Sequence, residues 1–257
     1  MFNWGAFTLF LYIMMRMSGF VLFSPFFGRN GVPMLFQGGM ITFLSITAYS
    51  MLENPSANVP ETIVELAFRL FTELGVGFFI NMLLRFMLYV PEQAGEIIDT
   101  QMGMSMARSY DPGAQSSMTS TANLLNIMTQ VLFFLANGHI TLIQLMLTSG
   151  EIVPFGQAAF GGMAANHMVA FFSECVMLAF KLSLPILGAE LLGQMGMGIL
   201  MKAIPQINVF AINIELKVIV GMLMLSALLS PISNYLLEIE SLALGSARDV
   251  MTLFGGT

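Results

Sequence analysis

Residues 62–91 read TIVELAFRLFTELGVGFFINMLLRFMLYVP, and this stretch decides the fold class. Apolar side chains fill most of it, and no turn signal interrupts it before Pro91. As a helix it would be about 45 Å long at 1.5 Å per residue. The hydrocarbon core of a bilayer is only about 30 Å thick. Such a helix has to tilt, leave the bilayer or continue inside a protein assembly. Glu61, Glu65, Arg69 and Glu73 recur every fourth residue, so they line one face. Arg69 is placed to pair with Glu65 or with Glu73.

Outward from this stretch lie five more apolar runs, at 4–27, 34–52, 121–149, 168–200 and 209–237. The first two have the length of a single span, about 20 residues. The longer ones call for kinks, for which Pro185 and Pro231 are placed. The expectation is an all-α polytopic membrane protein of about six long, kinked helices arranged as hairpins. It forms one domain over 1–257, with N-terminal helices at 1–91, a loop region at 92–120 and C-terminal helices at 121–257. Phe26–Pro33, with its Gly28, Gly31 and Pro33, joins the first two helices, and Glu53–Asn58 forms the next polar loop. Residues 150–167 read as a Gly/Ala-rich connection, and Ile204–Asn208 breaks the chain before the last run.

Composition agrees. Of 257 residues, 56% are hydrophobic and 9% charged, and mean hydropathy is +0.81. A soluble domain carries about 25% charged residues; one this apolar would aggregate. A net charge of −6 argues against a nucleic-acid partner, which demands basic residues. Cys175 stands alone in an apolar run, so neither a disulfide framework nor a cysteine–metal cluster is expected; it reads as a small core residue. The first basic residue, Arg16, falls inside the first apolar run, which does not fit a signal peptide and predicts a retained N-terminal helix. Arg29, Arg108 and Lys202 fall in the first, third and fifth loops. The positive-inside rule then puts those loops in the cytoplasm and the N-terminus outside.

Arg16, Glu65, Arg69, Glu73, Arg85, Glu174, Lys181, Glu190, Glu215 and Lys217 interrupt apolar runs. Charges in such positions turn towards protein or water. They therefore read as buried contacts between subunits or as a water-filled path, or else their helix ends project into water. A proton relay is a sharper version, but nothing isolates an unpaired acid. Glu174 and Lys181, seven apart, share a face.

Methionine occurs 24 times, mostly as adaptable core filler. Met102-Gly103-Met104-Ser105-Met106 differs: its period of two suits an extended segment. It leads into the turn Tyr110-Asp111-Pro112-Gly113. Soft side chains on such a backbone suit closing a pore that yields to a passing polypeptide; the residues alone favour a surface loop. Glu92, Glu96 and Asp99 follow Pro91 at helical spacing and read as a solvated acidic face, or as an acidic pore mouth. His139 and His167 stand in no metal-binding spacing, and neither a nucleophile elbow nor a P-loop occurs. No catalytic residue, metal or cofactor is expected. His139, after Asn137-Gly138, reads as a helix-end group.

Taken in order, these landmarks resemble the FliR family. Arg16-Met17-Ser18-Gly19-Phe20, Pro25-Phe26-Phe27-Gly28 and Val32-Pro33 look like its first hairpin. Glu73-Leu74-Gly75-Val76-Gly77 is similar to its next motif. Ala94-Gly95-Glu96, Asp99, Gln101, Gly103, Asp111-Pro112, Gly138-His139, Ser149 and Pro154-Phe155-Gly156 follow in the family's order. The most specific piece is Pro205-Gln206-Ile207-Asn208-Val209-Phe210, preceded by Gly193 and Gly198 and followed by Leu216-Lys217. The resemblance covers nearly the whole chain; each motif is weak alone, and the ordered set is strong. One departure is Asn213-Ile214-Glu215-Leu216-Lys217, where the family shows a Gly-Phe-Pro-Leu-Lys-like run with a kink.

The resemblance implies a bacterial inner-membrane subunit at the flagellar basal body, built with FliP and FliQ next to FlhB into an export gate. Unfolded flagellar proteins pass through it, and the segment from Met102 to Ser117 lies in the channel as a plug. The virulence injectisome paralogue shares the fold. An unrelated solute or ion transporter would use the same buried charges and broken helices.

Overall fold

The computed structural model describes residues 3–28, 32–52, 59–104, 118–158, 160–203 and 209–255. Their regular structure is all helix, without strands among the described residues: α1 (Trp4–Leu22), α2 (Met34–Ser50), α3 (Ile63–Met102), α4 (Ser120–Leu135), α5 (Gly138–Leu147), α6 (Ser149–Ile152), α7 (Gly162–Ala203), α8 (Val209–Ala227) and α9 (Leu229–Phe254). The protein is an all-α polytopic membrane protein. Among the described residues α1 and α7 are long and apolar enough to cross a membrane. The pair α4–α5 and the pair formed by Glu215–Ala227 with α9 pass the same test if each is one bent span.

Two of the expected six runs are broken helices. α4 and α5 are parted by a break at Ala136–Asn137, where Asn137 adopts a left-handed backbone, φ 61°, as asparagine does more readily than other side chains. The last two helices meet at 64°. Pro231 sits in the first turn of α9, where a missing N–H costs no helical bond. Pro91 and Pro185, by contrast, lie within the unbroken helices α3 and α7.

Three boundaries differ from the sequence reading. α3 continues through 92–101 to Met102, so Met102 is helical rather than extended. Gly103, at φ 81°, ends the helix: its N–H donates to Thr100 O at 3.1 Å, and the Met104 N–H donates to Asp99 O at 2.9 Å. This is a Schellman cap, which glycine at the left-handed position makes inexpensive. α7 starts at Gly162, and Ser149–Ile152 is helical, so the 150–167 connection is shorter than expected. α9 runs to Phe254, past the apolar run that ended at 237.

The described residues separate into two compact units. The first takes Met1–Phe86, Asn137–Phe172 and Ser241–Thr257. Its core contains Tyr12, Ile13, Met17, Phe20, Ile80 and Leu83, all fully buried. Phe79, Phe160 and Phe254 cluster with ring centroids 5.1–5.5 Å apart. The second unit takes Met87–Ala136 and Ser173–Glu240. In it α3 approaches the start of α4 closely: a side chain on Gly95 would stand 2.2 Å from the Ala122 Cα. Asp99 is buried there, not solvated. Its carboxylate accepts the Thr121 backbone N–H at 2.8 Å and the Thr121 hydroxyl at 2.5 Å. A carboxylate at a helix N-terminus satisfies a donor that the helix itself leaves open.

Outer faces remain apolar. Met34, Leu35 and Phe43 on α2, and Ile63, Val64 and Phe71 on α3, are well exposed. Such surfaces call for lipid or partner subunits.

Candidate functional site

The charges that interrupt α1 and α3 meet inside the first unit. Arg16 and Glu73 are both fully buried. The Arg16 Nε–H donates to Glu73 Oε2 at 2.6 Å. Arg16 Nη1 donates to Ser149 Oγ and to the Val153 carbonyl, each at 3.0 Å. The guanidinium carbon lies 4.2 Å from the Phe155 ring centre, a cation–π arrangement strengthened by exclusion of water. The second Glu73 oxygen accepts the Gly156 N–H at 2.6 Å. One ion pair thus gathers α1, α3 and the turn 153–156, and each charge has further polar partners, which a buried pair needs.

Close backbone approach makes this geometry possible. A side chain on Gly19 would lie 2.2 Å from the Leu74 carbonyl oxygen, and one on Gly77 would lie 2.4 Å from the Arg16 carbonyl oxygen. Small residues of this kind let membrane helices pack at short distance. Asn81, also buried, locks the contact through Nδ2, which donates to the carbonyls of Gly19, Phe20 and Gly77 at 3.1, 2.6 and 3.0 Å.

Arg69 and Glu65, half-buried, form their own pair at 2.6 Å. Arg69 Nη1 also donates to the Gly156 carbonyl at 3.3 Å. Of the two acids spaced for Arg69, the structure therefore gives it Glu65, while Glu73 belongs to Arg16. Glu65, Phe68, Arg69, Thr72 and Gly156–Ala158 line a recess of about 400 Å³.

Gly156 serves both pairs, at φ 80°. A methyl group there would lie 2.6 Å from the Tyr12 ring. Gly156→Ala is expected to cost about 2 kcal/mol through left-handed strain and overpacking. It should lower the thermal aggregation midpoint in detergent by roughly 4–8 °C. An unchanged midpoint would mean that this turn adapts freely.

The remaining residues singled out from the sequence fall elsewhere. Glu174 and Lys181 are exposed on α7. Met102 is buried in the second unit, where its sulfur lies 2.1 Å from the position a side chain on Gly221 would take. Gly103 and Met104 form the cap of α3. Ser105, Met106, Tyr110, Asp111 and Pro112 lie outside the described residues, as do Pro205, Gln206 and Asn208; Phe210 falls in the first turn of α8. Asn81 and Asp99 carry more of the structure than the sequence reading gave them. Among the described residues no group of three or more His, Cys, Asp or Glu side chains is placed to hold a metal.

Residues 7–241 match the family described as Bacterial export proteins, family 1. The chain is 30% identical to the flagellar biosynthetic protein FliR of Bacillus subtilis strain 168 over 97% of its length and 96% of that protein. It is 24% identical to the Escherichia coli K12 protein of the same name, over 89% of this chain and 87% of that one. It is also 28% identical to the Yop proteins translocation protein T of Yersinia pestis, over 74% of each chain.

Proposed function

The chain belongs to the bacterial export proteins, family 1, as a membrane component of a flagellar/type III export gate, and from that premise we propose that it builds the gate channel with FliP and FliQ, next to FlhB. Unfolded flagellar proteins would cross the bacterial inner membrane through this channel, at the flagellar basal body. The observation that carries this reading is the convergence of the family's scattered landmarks on one buried ion pair. Arg16 and Gly19, Glu73 and Gly77, Ser149, and Phe155 with Gly156 all meet there. The near full-length match to the Bacillus flagellar protein favours the flagellar branch over the injectisome.

The test is assembly. A tagged chain expressed with FliP and FliQ is expected to purify with both in one detergent-stable complex. Expressed alone, it is expected to be degraded or to aggregate, because its apolar faces have no partner. A monodisperse, protease-resistant monomer would count against the reading.

The segment from Met102 to Ser117 is the proposed plug, a role that the family resemblance implies for it, although Met102 itself is the buried last residue of α3. Deleting Met104 to Ser117 is expected to leave the complex assembled and to make it conduct ions. Near-zero planar-bilayer currents for both intact and deleted complexes would rule the plug out.

A further inference from the structure

Glu174 and Lys181 stand exposed on α7. They stand seven positions apart, about 10 Å along the helix axis, too far for a direct ion pair. Neither has a hydrogen bond or ion pair among the described residues. The surface around them is apolar, with Met177, Phe180 and Leu184 all more than half exposed. α7 is also one of the helices long and apolar enough to cross a membrane. An ammonium and a carboxylate on such a face turn to protein or water and not to hydrocarbon.

Beside Lys181 the surface is hollowed. Pro185 on the same helix and Pro231 and Tyr235 on α9 line a cleft of about 170 Å³ with it. The Tyr235 hydroxyl is buried without a hydrogen-bond partner among the described residues. A cation and a hydroxyl donor therefore border one mainly apolar cleft. Their common complement is an oxygen acceptor carried on an apolar body.

We propose that this face of α7 docks a membrane helix of a partner protein. That helix carries a carboxylate opposite Lys181 and Tyr235, and a basic side chain two turns away opposite Glu174. An anionic lipid would satisfy Lys181 but meet Glu174 as a like charge. A second copy of α7 would match Glu174 to Lys181 only when antiparallel, which two copies inserted the same way in one membrane cannot achieve. The proposal rests on the reading of the chain as one subunit of a hetero-oligomeric gate.

The experiment places a photo-crosslinking residue at Met177 or Leu184 in the full-length tagged chain, expressed with its gate partners. The expected result is an adduct with one partner membrane protein, through an apolar segment containing Asp or Glu. Its yield should fall about ten-fold in Lys181→Glu and stay within about two-fold in Lys181→Arg. Reversing the captured carboxylate to lysine should restore the adduct in Lys181→Glu, which separates lost pairing from misfolding. Adducts with lipid alone or with a second copy would overturn the proposal, as would a partner adduct indifferent to Lys181→Glu. If the gate partners copurify but leave no adduct here, this inference falls and the gate reading stands. If no partner copurifies with the unaltered chain, both fall.

Discussion

Replacing Arg16 by methionine is expected to deplete the protein from the membrane rather than to slow export by degrees. The substitution keeps an apolar stem of similar reach and removes the charge that Glu73 faces at 2.6 Å. Glu73 would then remain fully buried, and among the described residues its carboxylate would keep the Gly156 N–H alone. Removing one member of a buried pair costs about 3–5 kcal/mol, against total stabilities of about 5–15 kcal/mol. The Val153 carbonyl also loses its donor, at about 1–3 kcal/mol if left unsatisfied. Arg16→Lys should recover only part of this loss, because a single ammonium does not reproduce the fork that meets Glu73, Ser149 and Val153. The double change Arg16→Met with Glu73→Met should be more stable than Arg16→Met alone, because it leaves no lone buried charge. It should fall short of the native chain, since the Gly156 N–H and the Val153 carbonyl stay unpaired. Steady-state membrane levels and thermal aggregation midpoints in detergent test this order. Equal midpoints for Arg16→Met and the native protein would remove the pair from any structural role.

The pairing of Arg16 with Glu73 was not legible from spacing. Helical periodicity predicts partners three or four residues away, and it offered Arg69 to Glu73. The actual counter-ion lies 57 positions earlier. A weaker signal was present: each charge is followed by a glycine about one turn later, Gly19 after Arg16 and Gly77 after Glu73. Paired glycines beside buried charges mark where two helix backbones approach closely. The six helical regions were legible because run length alone separates membrane helices from soluble ones. The end of α9 was not, because Glu238, Glu240, Arg248 and Asp249 dilute its apolar content. Yet Ile232, Leu236, Ile239, Ala243, Ala247, Val250 and Phe254 are buried at spacings of three and four, the pattern of a one-sided helix. Asp99 misled for a related reason. An acidic stripe normally faces water, but here the carboxylate finds the open N–H at the start of α4.

The glycine contact gives the second large effect. Gly77→Ala adds one methyl group, and in most helices that change helps by up to about 1 kcal/mol. At Gly77 the added carbon would lie 2.4 Å from both the Arg16 carbonyl oxygen and the Phe20 nitrogen. These are backbone atoms of α1 and cannot rotate away, so α1 and α3 have to separate. Overpacking of this kind costs about 1–3 kcal/mol. Separation also stretches the Asn81 bonds to Gly19 and Phe20, and a buried amide left short of acceptors costs about 1–3 kcal/mol more. It further draws Arg16 away from Glu73, so the buried pair weakens with the helix contact. The net expectation is a loss of about 3 kcal/mol or more, opposite in sign to helix propensity. Gly188 provides the control. It lies inside α7, and among the described residues no atom beyond its own helical turns stands within 4 Å of an added side chain, so Gly188→Ala should leave the aggregation midpoint unchanged or raise it. If both alanines moved the midpoint in the same direction, close packing of α1 on α3 would not be what Gly77 provides.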